Sequence, residues 1–173
     1  MNKARFTLPQ LNAMSREEFV RAAGPVFELS PWIAEAAWPR RPFASVAGLH
    51  EELCRAMGAA TAEQKLSLLR AHPDLVGRAA LRGTLTPESA NEQASAGLDR
   101  LTDGEVAAFQ KFNGAYRERF GFPFIICARL NKKDAILAGF QARLNNSREA
   151  EIETALGEIS KIAALRLGDL VQT

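Results

Sequence analysis

The chain has 173 residues, 47% of them hydrophobic and 24% charged, which fits one globular domain spanning 1–173 and excludes a disordered or fibrous chain. Its formal charge of +2 and pI near 8.7 are mildly basic, but Lys and Arg are interleaved with Asp and Glu. A nucleic-acid binder would show a basic stripe or a known motif, and neither is present. No apolar run reaches the length of a membrane span. Met1-Asn2-Lys3-Ala4-Arg5-Phe6 lacks a signal-peptide core, and Leu170-Val171-Gln172-Thr173 is not a peroxisomal tripeptide. A cytoplasmic protein without membrane or nucleic-acid partners is expected.

Helix signals follow one another along the chain. Ser15 and Glu18 have capping-box spacing, and the helix they open stops at Gly24-Pro25. Ser30-Pro31 opens a short helix with Pro at the first helical position, and Trp38-Pro39-Arg40-Arg41-Pro42 breaks it. Ser45 starts a third, through Leu49, Leu53 and Met57 to Gly58. Thr61 and Gln64 form another capping box, with Leu66 and Leu69 on the apolar face as far as Ala71. A helix is expected over Asp74 to Arg82, closed by Gly83. Thr86-Pro87 starts the next, and Asp103 is expected to cap the one carrying Val106, Phe109, Phe112 and Tyr116.

Gly121-Phe122-Pro123-Phe124-Ile125-Ile126-Cys127-Ala128 is apolar, aromatic and β-branched without helical period. It reads as a buried extended segment. Asp134 is expected to cap a short helix ending near Asn145-Asn146, and a long last helix runs from Ser147 to about Leu170. The fold class is all-α, a single compact multi-helix domain with one short buried extended segment near Phe122–Ala128.

Four places depart from these local rules, and such departures point to functional sites. In the last helix Ile152, Leu156, Ile159, Ala163, Arg166 and Leu170 form one apolar stripe, with Arg166 inside it. The guanidinium must snorkel out, pair with a structural carboxylate, or await an anionic ligand. His72 closes its helix because Pro73 disfavours helical geometry before it; the helix C-terminus and Asp74 both favour its imidazolium form. It is either a capping residue or a group facing a cleft. If Thr86 caps, then Ser89, Glu92 and Gln93 share one face of the next helix, as a small polar site or as a solvated surface. Backbone groups from Phe124 to Ala128 lack helical partners and need a ligand, a loop or water.

Cys54 and Cys127 form no Cys-x-x-Cys pair, and His50 and His72 stand outside any Cys/His cluster, so no metal site is expected. No glycine-rich loop has dinucleotide or phosphate-binding spacing.

Ala71-His72-Pro73-Asp74-Leu75, Ser89-x-x-Glu92-Gln93-x-x-Ala96-Gly97-Leu98, Phe120-Gly121-Phe122-Pro123-Phe124-Ile125-Ile126 and Ile159-x-x-Ile162-Ala163-x-Leu165-Arg166-Leu167 occur in this order. With these motifs the sequence resembles the 2-oxo-4-hydroxy-4-carboxy-5-ureidoimidazoline (OHCU) decarboxylases over essentially its whole length. The resemblance implies an all-helical homodimer without metal or organic cofactor, which converts this ureide to (S)-allantoin in purine degradation. It implies that His72, Glu92 and Arg166 are catalytic. Pro73, Ser89, Gln93 and the backbone of Phe124, Ile125, Ile126, Cys127 and Ala128 would hold the substrate. The substrate's own C=N would serve as electron sink, which accounts for the missing cofactor motifs. Two other readings compete: a non-catalytic helical ligand-binding or regulatory module, for which Arg166 and the His72/Glu92 pair are structural coincidences, and a hydrolase acting on a related ureide, which uses the same residues. The hydrolase lacks a signalled nucleophile–base pair.

Overall fold

Side chains that cap their own helices set most of the element boundaries. The computed structural model describes residues 5–172; positions 1–4 and 173, which the terminal-signal expectations partly use, lie outside the described residues. The described chain forms two compact units. One comprises the chain up to Ala71 together with Ser160 onward, the other His72–Ile159. Among the described residues no β-strand forms, only an isolated parallel bridge between Phe6 and Val171 inside the first unit. The all-α expectation holds, and among the described residues no helix is long and apolar enough to cross a membrane.

The first unit contains α1 (Leu8–Ala13), α2 (Arg16–Ala23), α3 (Trp32–Ala37), α4 (Val46–Gly58) and α5 (Ala62–Ala71), with the C-terminal part of α10 (Arg148–Leu170). Ser15 and Glu18 form the expected reciprocal box, Ser45 accepts from the Gly48 amide, and Thr61 and Gln64 exchange bonds likewise. The sequence reading passed over α1, although Thr7, Pro9 and Gln10 carry the same start signal. Pro31 is the N-cap of α3 and not its first helical residue. Phe19, Phe27, Ile33, Leu49, Leu53 and Leu68 are fully buried and form the core. Completely burying each is worth about 1.5–3 kcal/mol.

The second unit contains α6 (Arg78–Leu81), α7 (Pro87–Ser95), α8 (Asp103–Phe120), α9 (Lys133–Arg143) and the N-terminal part of α10. Its core is aromatic: Phe124 stacks on Phe140 with centroids 3.9 Å apart, and Tyr116 meets Phe124 edge-on at 5.3 Å. Gly139 permits that stack, since a Cβ there would stand 3.3 Å from Phe124 Cζ. Gly121, at φ +79°, ends α8 in the left-handed conformation that glycine adopts without strain. The non-helical stretch then follows as expected, with Phe122, Phe124, Ile125 and Cys127 buried, and a 3-10 turn begins at Ala128.

Three boundaries differ from the sequence reading. The helix expected from Asp74 starts only at Arg78, because a turn with Val76 at φ +54° comes first. Thr102, not Asp103, caps α8, since Glu105 stands at the reciprocal position for Thr102. Lys132 is the N-cap of α9 and Asp134 sits in its first turn, where a carboxylate favours the helix dipole without capping.

Candidate active site

His72 follows the last residue of α5 directly and is buried. The turn after it is held by three side chains of the second unit. Arg117 Nε donates to both Asp74 carboxylate oxygens at 2.8 and 3.0 Å, and Asn113 Nδ2 donates to the Leu75 carbonyl at 2.7 Å. The Val76 amide donates to Gln93 Oε1 at 3.0 Å, and Gln93 Nε2 reaches the Asp74 carbonyl at 3.4 Å. These non-local bonds explain why Asp74 does not begin a helix.

α7 carries the polar face that its sequence predicts. Thr86 caps it by accepting from the Ser89 amide, which places Ser89 inside the helix. Ser89 and Gln93 are buried and Glu92 is half-buried. Gln93 ties this helix to the His72 turn, while α7 also packs against the 3-10 turn Ala128–Leu130. Burial pushes the Cys127 thiol upward in pKa, and the Glu158 and Glu92 carboxylates add to the shift, so the thiol stays neutral. α7 therefore reaches both the turn that follows His72 and Pro73, at Asp74 and Val76, and the end of the non-helical segment. Gln93, expected to hold substrate, has both ends of its amide engaged with the turn.

The non-helical backbone is held by side chains. Arg143 Nη1 donates to the Ile125 carbonyl at 2.7 Å, and its guanidinium lies 4.3 Å over the Phe124 ring. The Cys127 amide donates to Glu158 Oε2 at 2.8 Å, and Asn131 Nδ2 donates to the Cys127 carbonyl at 2.9 Å. Behind Arg143 stands Glu151, 0% exposed, which accepts from Arg143 Nε at 2.7 Å, from Asn146 Nδ2 at 2.8 Å and from the Tyr116 hydroxyl. Burial and the Glu151 carboxylate push the tyrosine phenol far above its usual pKa, so it remains a donor.

Arg166 belongs to the first unit. Its guanidinium is buried and meets an anion from the chain itself: Nη2 donates to Glu28 Oε2 at 3.0 Å and Nη1 to the Pro25 carbonyl at 3.3 Å. A cavity of about 510 Å³ beside it is walled mainly by apolar Phe6, Met14, Val26 and Leu170. A second cavity of about 500 Å³, in the other unit, takes Gln93 with Val76, Leu85 and Leu98. Neither cavity includes His72 or Glu92 in its walls. Among the described residues no three His, Cys, Asp or Glu side chains are gathered to hold a metal ion.

Glu28, Arg143, Glu151 and Glu158 were not among the sequence candidates. Glu28 had one available signal, a carboxylate following Val26-Phe27 in an otherwise apolar stretch. Glu151 reads as an ordinary first-turn acid, although it stands four residues before Ala155 on the buried face.

Residues 12–168 match the family described as OHCU decarboxylase, a stretch that contains every candidate residue from His72 to Arg166. The chain belongs to this family. It is 43% identical to the 2-oxo-4-hydroxy-4-carboxy-5-ureidoimidazoline decarboxylase of Halalkalicoccus jeotgali over 96% of this chain and 92% of that protein. Its fold is similar to that of an (S)-allantoin synthase, with a TM-score of 0.78 and 30% identity, covering 97% of this chain and 55% of the other. An OHCU decarboxylase crystallised in the presence of (S)-allantoin shares the family fold, with a TM-score of 0.69 at 23% identity, over 89% of this chain and 96% of that one.

Proposed function

We propose that the chain is a cofactor-free carboxy-lyase that decarboxylates OHCU to (S)-allantoin in urate degradation, working as a cytoplasmic homodimer. The carbon that loses CO₂ also bears a hydroxyl and adjoins a ring C=N. As the C–C bond breaks, its electron pair forms a double bond to the adjacent carbon, and the C=N pair moves to nitrogen. Protonation of that adjacent carbon from one face gives one enantiomer, and the hydroxyl becomes the ring carbonyl.

Arg166 holds the substrate anion, since its planar fork suits a carboxylate, and Glu28 keeps the guanidinium aimed in the empty protein. His72 transfers the proton near neutral pH. Glu92 orients the histidine or the substrate hydroxyl. Pro73, Ser89 and Gln93 hold the ring, and the backbone of Phe124 to Ala128 reads the ureido and ring amide groups. The observation that supports this reading is α7, whose Ser89 and Glu92 lie on a helix joined to the turn after His72 and packed beside the 3-10 turn Ala128–Leu130.

The test is product analysis. Purified protein, with chelator present and no metal or cofactor added, should convert freshly generated OHCU to allantoin with one enantiomer in excess. Racemic allantoin formed no faster than in buffer overturns the proposal.

A further inference from the structure

In extended backbone the N–H and C=O of residues i and i+2 lie along one edge, and those of residue i+1 along the other. Over residues 125–127 the hydrogen bonds among the described residues use one edge. The Ile125 carbonyl is taken by Arg143 and the Cys127 amide by Glu158. The Cys127 carbonyl is taken by the Leu130 amide at 3.0 Å and by Asn131. No group among the described residues hydrogen-bonds the backbone of the intervening Ile126. Both holding devices come from the second unit and depend on α10, where Glu151 and Glu158 stand seven residues, two helical turns, apart. Glu151 fixes Arg143 from behind, and Glu158 acts directly.

We propose that Glu158 and Arg143 are positioning residues that hold the 125/127 edge, leaving the peptide groups of Ile126 to read an amide-like ligand. The ligand class is a cyclic ureide, whose alternating N–H and C=O groups match one peptide's acceptor and donor. This rests on the reading that the segment meets the substrate. Glu158 acts through the Cys127 amide, so its loss should weaken binding of substrate and transition state alike and leave the chemical step intact.

Cys127 supplies a readout independent of turnover, being 1% exposed and bonded through the amide that Glu158 holds. In a Cys54→Ser background it is the chain's only remaining thiol. Glu158→Ala should speed its reaction with a disulfide reagent and raise KM for OHCU about tenfold, the scale of one lost charge-assisted bond, with kcat little changed. Glu158→Gln, whose amide oxygen can accept the same N–H, should restore both slow labelling and low KM. If Glu158→Ala exposes Cys127 without raising KM, or lowers kcat at unchanged KM, the positioning role is wrong while the decarboxylase reading stands. Unchanged labelling in Glu158→Ala also overturns it. Lack of OHCU turnover by the parent protein would instead remove the decarboxylase reading, and this proposal with it, before any variant is compared.

Discussion

Two charged residues interrupt the buried face of α10, and each meets an opposite charge inside its own unit. Glu151, in the second unit, accepts from Arg143, Asn146 and Tyr116; Arg143 Nε donates to it at 2.7 Å and Arg143 Nη1 donates to the Ile125 carbonyl at 2.7 Å. Arg166, in the first unit, reaches Glu28 at 3.0 Å and the Pro25 carbonyl at 3.3 Å, and it borders a cavity. The first pair is bound into a network whose output is a fixed stretch of backbone. The second presents a cation beside open space. A buried ion pair is thus not one kind of object: one closes into a network that holds backbone, and the other borders a cavity.

The largest expected effect tests the strut. Glu151→Ala leaves Arg143, only 12% exposed, as a cation without its carboxylate, and breaking a buried pair on one side typically costs ~3–5 kcal/mol. Urea denaturation should show that loss, and a change below about 1 kcal/mol, the worth of an exposed pair, would break the comparison.

The second prediction concerns Arg166→Met. Turnover of OHCU should fall by ~10²-fold or more, since a desolvated charge-pair partner is worth ~2–5 kcal/mol. Stability should fall too, because the buried Glu28 carboxylate loses the guanidinium it is paired with. The double variant Glu28→Gln with Arg166→Met separates the two effects, recovering most of the stability and none of the activity. If Arg166→Met is destabilised yet turns over normally, the arginine is a strut like Arg143, and the anion is bound elsewhere.

The smallest effect comes from a half-buried pair, Glu105 with Lys133, which serves as a reference for the more deeply buried ones. The Lys133 ammonium, together with the Thr102 amide, lowers the Glu105 pKa from 4.5 to about 2. A carboxylate with a depressed folded pKa stabilises the fold above its unfolded pKa and loses that contribution as pH falls through the folded one. The pair's share should therefore fade between pH 4.5 and about 2. Lys133→Met should flatten this part of the acid unfolding curve, as should high salt. An acid limb indifferent to both would remove the assignment.

The elements legible in the sequence are those whose signal is local. Ser15, Ser45, Thr61 and Thr86 accept from amides three residues on, so the chain carries each helix start within one turn. Where a non-local partner intervened, local reading went astray. The Asp74–Gly77 turn exists because Gln93, Asn113 and Arg117 claim its polar groups, the nearest of them 17 residues away.

The candidate site divides in the same way. Periodicity alone exposes Arg166 as a charge inside an apolar stripe, and Pro73 alone ends a helix at His72. That Glu28, 138 residues distant, answers Arg166 is decided only by tertiary structure. So is the turning of Glu151 inward, when its position in a first helical turn would equally suit solvent. Caps and hydrophobic periods are written in neighbours, whereas an ion pair or a backbone clamp needs two distant parts of the chain to be packed before either partner has a meaning.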